Sequence, residues 1–146
     1  MQLKEIVQRF LEQWLPDANW ARLEEIFTED VTYVDANNLT TFGRKEVLQL
    51  LRKGNKLARL IWKAETIPPN LVMNSVQEDN QVFVEWEARG VFNNGVEATV
   101  PGSTLVRFQD DLVVYYRDYV NFALFVQWAQ QYPELFQSLA EAENDY

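Results

Sequence analysis

Residues 81–120 read QVFVEWEARG VFNNGVEATV PGSTLVRFQD DLVVYYRDYV, and the period of this stretch decides the fold. Apolar and polar residues alternate, the spacing of strands that cover one face and wet the other. β-Branched and aromatic side chains dominate the covered positions, as strands prefer. The alternation breaks at Asn93-Asn94-Gly95 and at Gln109-Asp110-Asp111. It therefore predicts strands over 81–92, 96–108 and 112–120. Asn94-Gly95 is the sharpest hairpin signal, because both residues tolerate positive φ. Upstream, 71–77 reads as a fourth strand, linked by Glu78-Asp79-Asn80. Consecutive strands with short links pair as an antiparallel meander. Pro101-Gly102 predicts a bulge or bend inside the third strand of this stretch, since proline cannot donate to a ladder.

Before Pro68-Pro69 the period is helical. Leu3, Ile6, Val7, Phe10, Leu11 and Trp14 form one apolar stripe that Pro16 ends. Asp17 offers an N-cap for a second helix carrying Trp20, Leu23, Ile26 and Phe27. Residues 31–35 read as a short strand, and 36–42 as a polar loop. Helical spacing returns after Gly43, with a stop or kink expected at Gly54-Asn55 before Leu57, Leu60 and Ile61 resume it. One or two short helices are expected over 122–128 and 133–142. Helices followed by a long curled antiparallel sheet define an α+β domain with a pocket between its layers. The whole of 1–146 reads as one domain, with 129–146 a helical extension and acidic tail.

Composition narrows the function. The 146 residues carry a net charge of −9, no cysteine and no histidine. That removes thiol nucleophiles, Ser–His pairs and the commonest zinc ligands, so no metal and no cofactor is expected. Proton chemistry must use Asp, Glu, Lys or Tyr. The acid excess argues against nucleic acid and anionic membranes as partners. No apolar run reaches the length of a membrane helix, and the N-terminus lacks a signal-peptide pattern. A cytoplasmic location is the expectation.

Four segments resemble the nuclear transport factor 2-like (NTF2-like) superfamily, in its SnoaL-like and limonene-epoxide-hydrolase-like branch. They are Ile26-Phe-Thr-Glu-Asp-Val-Thr-Tyr-Val-Asp35, Phe42-Gly-Arg-Lys-Glu-Val-Leu48, Val82-Phe-Val-Glu-Trp86 and Tyr116-Arg-Asp-Tyr-Val-Asn121. The resemblance covers about residues 2–128 and implies a cystatin-like cone, its helices packed on a curved sheet around an internal pocket. It also implies a homodimer through the outer sheet face. Superfamily members include isomerases, cyclases, dehydratases, epoxide hydrolases and non-enzymatic binding domains, so the fold alone leaves the activity open.

Asp118 is the first candidate for chemistry. Val114, Tyr116, Asp118 and Val120 alternate onto one face, which should point inward. A carboxylate there is partly desolvated, which raises its pKa toward the range of a neutral-pH acid or base. By resemblance, Asp118 matches the aspartate that serves as acid or base in the cyclases and epoxide hydrolases. The structural alternative is an aspartate held by Arg117, a cross-strand group or a tyrosine hydroxyl. Tyr33 and Asp35 form the second group, matching a Tyr and an Asn that hold a water in the epoxide-hydrolase branch. Their structural alternative is core packing for Tyr33 and a loop start for Asp35. Trp86 and Ala88 stand where that branch has the Arg and Asp of its triad, so the resemblance does not extend to epoxide hydrolysis. Asn121 replaces a second motif aspartate, and the histidine used by several SnoaL-like cyclases is absent.

The aromatic residues divide the same way. Trp14, Trp20, Phe27 and Phe108 read as core. Trp62, Trp86, Tyr116 and Trp128 read as pocket wall, suited to a small hydrophobic or aromatic ligand. Glu85, Glu87 and Arg89 read as a solvated or subunit-facing sheet surface. Two functions follow. One is a binding domain for a small hydrophobic molecule, non-catalytic or of unassigned activity. The other is an isomerase, cyclase or dehydratase using Asp118 as general acid or base, with Tyr33 and Asp35 orienting water or a substrate oxygen.

Overall fold

The computed structural model describes residues 2–143. The last three residues of the acidic tail lie outside them. Helix α1 spans Leu3–Gln13 and α2 spans Trp20–Glu25. Strand β1 (Phe27–Val34) and the short β2 (Thr40–Phe42) lead into α3 (Arg44–Ile61). Strands β3 (Asn70–Glu78), β4 (Gln81–Val91), β5 (Glu97–Gln109) and β6 (Leu112–Val120) follow. Helices α4 (Phe122–Gln131) and α5 (Pro133–Glu143) close the described chain.

The six strands form one sheet in the order β2-β1-β6-β5-β4-β3. The expected meander is present from β3 to β6, every neighbouring pair antiparallel. The sheet as a whole is mixed, because β1 joins β6 in parallel. Helix α3 leaves β2 at the sheet edge, and its connection returns the chain to β3 at the opposite edge. Local alternation cannot report that long-range pairing. The segment 36–42, expected as loop only, ends in β2, which pairs Thr40 with Val34.

The hairpin at Asn94-Gly95 forms as expected. Gly95 has φ 88°, its N–H donates to Phe92 O at 2.9 Å, and Phe92 N–H donates to Val96 O at 2.8 Å. No bulge forms at Pro101-Gly102. Glu87 faces Pro101 and Trp86 faces Gly102 in unbroken register. Proline is tolerated because the β6 ladder begins one residue later, at Gly102 and Val120. The irregularity lies at the other end of the strand. Arg107 pairs with Tyr115 and Phe108 with Val113, leaving Val114 as the extra residue of a bulge. Val113, not the expected Val114, therefore enters the core, at 3% exposure.

Three helix expectations also change. Asn19, not Asp17, caps α2, its side chain accepting from Arg22 N. Phe27, assigned above to that helix, is instead the first residue of β1. Helix α3 runs through Gly54-Asn55 without a stop. Asn55 is buried, and its Nδ2 donates to Trp14 O at 2.9 Å and Leu15 O at 3.0 Å. These carbonyls sit where α1 ends and lack helical partners. Asn55 thus serves the turn between two helices, a tertiary role that overrides its weak helix propensity.

The core lies between helices and sheet. Helix α1 contributes Val7, Phe10 and Leu11, and α3 contributes Val47, Leu48 and Leu51. The inner face of the sheet contributes Val31, Val82, Val84, Val106 and Phe108. Leu135 of α5 is buried in the same cluster, so the C-terminal extension is part of the packed domain. Among the described residues no helix is long and apolar enough to cross a membrane.

Candidate functional site

The inner face of the sheet is built in rows. Val82, Val106 and Tyr116 form one, and Val84, Thr104 and Asp118 the next. Then come Trp86, Gly102 and Val120, and finally Asn70, Ala88 and Val100. Trp86, Val120, Asn70, Ala88 and Val100 of the last two rows, with Asp118, line a cavity of about 200 Å3. Trp14, Leu15, Ala36, Trp62, Pro68 and Phe125 complete its walls. That volume holds roughly six or seven waters, or one small organic molecule.

Asp118 is the only ionisable side chain lining this cavity among the described residues. Thr104, fully buried, donates from Oγ1 to Asp118 Oδ1 at 2.7 Å. Trp86 Nε1 in turn donates to Thr104 Oγ1 at 2.9 Å. Tyr33 OH donates to Asp118 Oδ2 at 3.2 Å. The Tyr33 and Tyr116 rings stack 4.7 Å apart and nearly parallel, because β1 and β6 set these two residues directly opposite. Burial pushes the Asp118 carboxyl up from 3.8 to about 6, against the hydrogen bonds from Thr104, Tyr116 and Tyr33 that hold it down; the nearby Asp35 adds to the rise. Burial first, and then the Asp118 charge, push both tyrosine hydroxyls well above 10. They remain protonated donors at neutral pH.

Asp35 does other work at the end of β1. Its Oδ1 accepts from Asn37 N at 2.9 Å and Leu39 N at 3.1 Å. This is an Asx-type turn that shapes the loop to β2, and the loop places Ala36 on the cavity wall. Of the four aromatic residues expected to line the pocket, Trp62 and Trp86 do. Tyr116 does not reach it: the ring lies behind Asp118, stacked on Tyr33 and edge-on to Phe10. Trp128 does not reach it either, packing edge-on against Phe92. Trp14, read as core, packs against the core on Phe10 and also reaches the wall. Glu85, Glu87 and Arg89 point to the outer face, where Arg89 Nε donates to Glu87 at 2.9 Å. Asn121 caps α4 through Ala123 N.

Two polar site residues escaped the sequence reading, Thr104 and Asn70. Thr104 stands as a lone polar side chain among the inner positions of β5, which was the available signal; Asn70 gave none, because the inner positions of β3 also include Ser75 and Gln77. Among the described residues no cluster of three or more acidic side chains could hold a metal ion.

This architecture is an α+β cone, with helices on a curved mixed sheet. The SnoaL-like domain family matches residues 7–116, and the chain belongs to that family. The match stops two residues before Asp118. No curated protein matches the chain. Solved structures share the fold. An NTF2-like protein of unknown function from Burkholderia pseudomallei superposes with a TM-score of 0.69 at 15% identity, covering 87% of this chain and 97% of its own. A protein from Jannaschia sp. CCS1, provisionally named a SnoaL-like polyketide cyclase, gives 0.68 at 20% identity over 87% and 90%. An NTF2-like protein of unknown function from Cytophaga hutchinsonii gives 0.64 at 19% identity over 81% and 95%.

Proposed function

We propose that this chain binds a small, mostly apolar molecule in the cone cavity and that Asp118 exchanges a proton with it. The observation that carries this reading is a single carboxyl, pushed up to about 6, on the wall of an otherwise uncharged cavity. A base with that pKa is ionised at neutral pH and still basic enough to accept a proton from a weak acid. The proton passes from a C–H or O–H of the ligand to Asp118, and the electron pair stays on the ligand. Return of the proton to another atom completes an isomerisation or ring closure with no co-reactant. Thr104 and Tyr33 hold the carboxylate in place, and Trp62 and Trp86 flank the ligand. The provisional cyclase name of the Jannaschia relative is compatible with this chemistry.

Solvent exchange tests the reading. In D2O, acetophenone incubated with the protein should gain deuterium at its methyl group faster than in buffer, by proton NMR. The rate should rise with pH and level off above about 6, as Asp118 ionises. Binding without exchange would remove the catalytic half and leave a binding domain.

We also propose that the outer sheet face pairs two copies of the chain. Val76, Phe83 and Tyr119 lie there, exposed at 65%, 44% and 45%. Light scattering should give twice the chain mass, and Phe83→Asp should halve it. A monomeric wild type would sink this assignment.

A further inference from the structure

Asn70 opens β3 and is 6% exposed, yet its carboxamide has no hydrogen-bond partner among the described residues. It faces the cavity, beside Ala88 and Val100. The other two buried polar side chains are satisfied within the protein: Asn55 meets two carbonyls, and Thr104 meets Trp86 and Asp118. The Asn70 carboxamide differs: it is not sealed off without a partner, as Thr28 Oγ1 is, but is open to whatever fills the cavity. The charge of the cavity adds a second constraint. Among the described residues no Lys or Arg lines it, and its only ionisable group is an acid. An anionic ligand would meet the Asp118 carboxylate with no counter-charge.

We propose that Asn70 is the anchoring residue of the site and that the ligand is an uncharged molecule with one carbonyl or hydroxyl oxygen on an apolar body. The Asn70 Nδ2 donates to that oxygen while the body lies between Trp62, Trp86 and Val120. This assignment rests on the cavity being a ligand site, and it adds the ligand's chemical class.

Three probes of similar size separate the possibilities: acetophenone, ethylbenzene and benzoate. Binding is followed by tryptophan fluorescence and by ligand-observed NMR at pH 7.5. Wild type should prefer acetophenone to ethylbenzene by tenfold or more, and should bind benzoate weakest. Asn70→Leu should erase the preference for the ketone while its melting temperature holds, because no side-chain hydrogen bond within the protein is lost. Equal binding of acetophenone and ethylbenzene by wild type overturns the assignment and leaves the cavity reading intact. Retention of the preference in Asn70→Leu does the same, and a marked fall in its melting temperature points to a structural role and overturns the anchor. Binding of none of the three overturns both readings.

Discussion

Asp118→Asn should be more stable than the wild type at pH 7.5 and should lack the proton transfer proposed for this site. The sign follows from the shift. The folded state holds the Asp118 carboxyl near 6, against 3.8 ordinarily. Below the ordinary value both states carry the proton and there is no penalty. Between about 4 and 6 the unfolded chain ionises first, and folding loses stability as the pH rises. Above 6 the loss is complete, at about 1–3 kcal/mol for a carboxyl that is enclosed but not wholly cut off from the cavity. An asparagine is neutral throughout, can accept from Thr104, and can donate to a tyrosine hydroxyl. Denaturant melts should therefore show the variant ahead by about 1–3 kcal/mol at pH 7.5, and the gap should close near pH 4. Methyl-group deuterium exchange should fall by about 10²–10⁴. A variant less stable than the wild type at pH 7.5 would mean that the carboxylate is a structural anchor.

Gly102→Val should collapse the site and cost about 2–4 kcal/mol. A β-carbon at Gly102 would overlap Cζ2, Cη2 and Cε2 of the Trp86 indole, which lies flat across the glycine in the next strand. The ring cannot stay, so Trp86 loses its bond to Thr104 and Thr104 loses the partner that orients it toward Asp118. Urea melts and the near-ultraviolet tryptophan bands report the change. Trp86→Leu should cost much less in the Gly102→Val background than alone, because the clash is already relieved. Strict additivity of the two costs would refute the seat that Gly102 provides. Gly90 plays a similar part for Trp62, since a β-carbon there would crowd the second indole and Thr66 O.

These two positions mark how far the sequence could be read. Alternation placed β3 to β6 within a residue or two, since each strand's period is a local property of its own side chains. It also put Tyr116, Asp118 and Val120 on the inner face. It misplaced Val114, because a bulge inserts one residue and reverses the alternation beyond it. It expected a bulge or bend at Pro101-Gly102; no bulge forms there, and the glycine makes room for an indole from the neighbouring strand. Tyr116 and Trp128 were expected on the cavity and sit beside it. Aromatic content says that a core or pocket exists, and neighbours decide which.

Asp118 thus has two levels of explanation. The strand period by itself determined that a carboxylate would face inward among apolar residues, and the absence of histidine left Asp, Glu, Lys and Tyr as the only side chains for proton chemistry. Only the tertiary structure decided what surrounds it. The parallel pairing of β1 with β6 delivers the Tyr33 hydroxyl, β5 delivers Thr104, and the curl of the sheet brings Asn70 to the same cavity from β3. Those partners come from strands far apart in sequence, and their meeting depends on long-range pairing, which no local pattern of residues encodes.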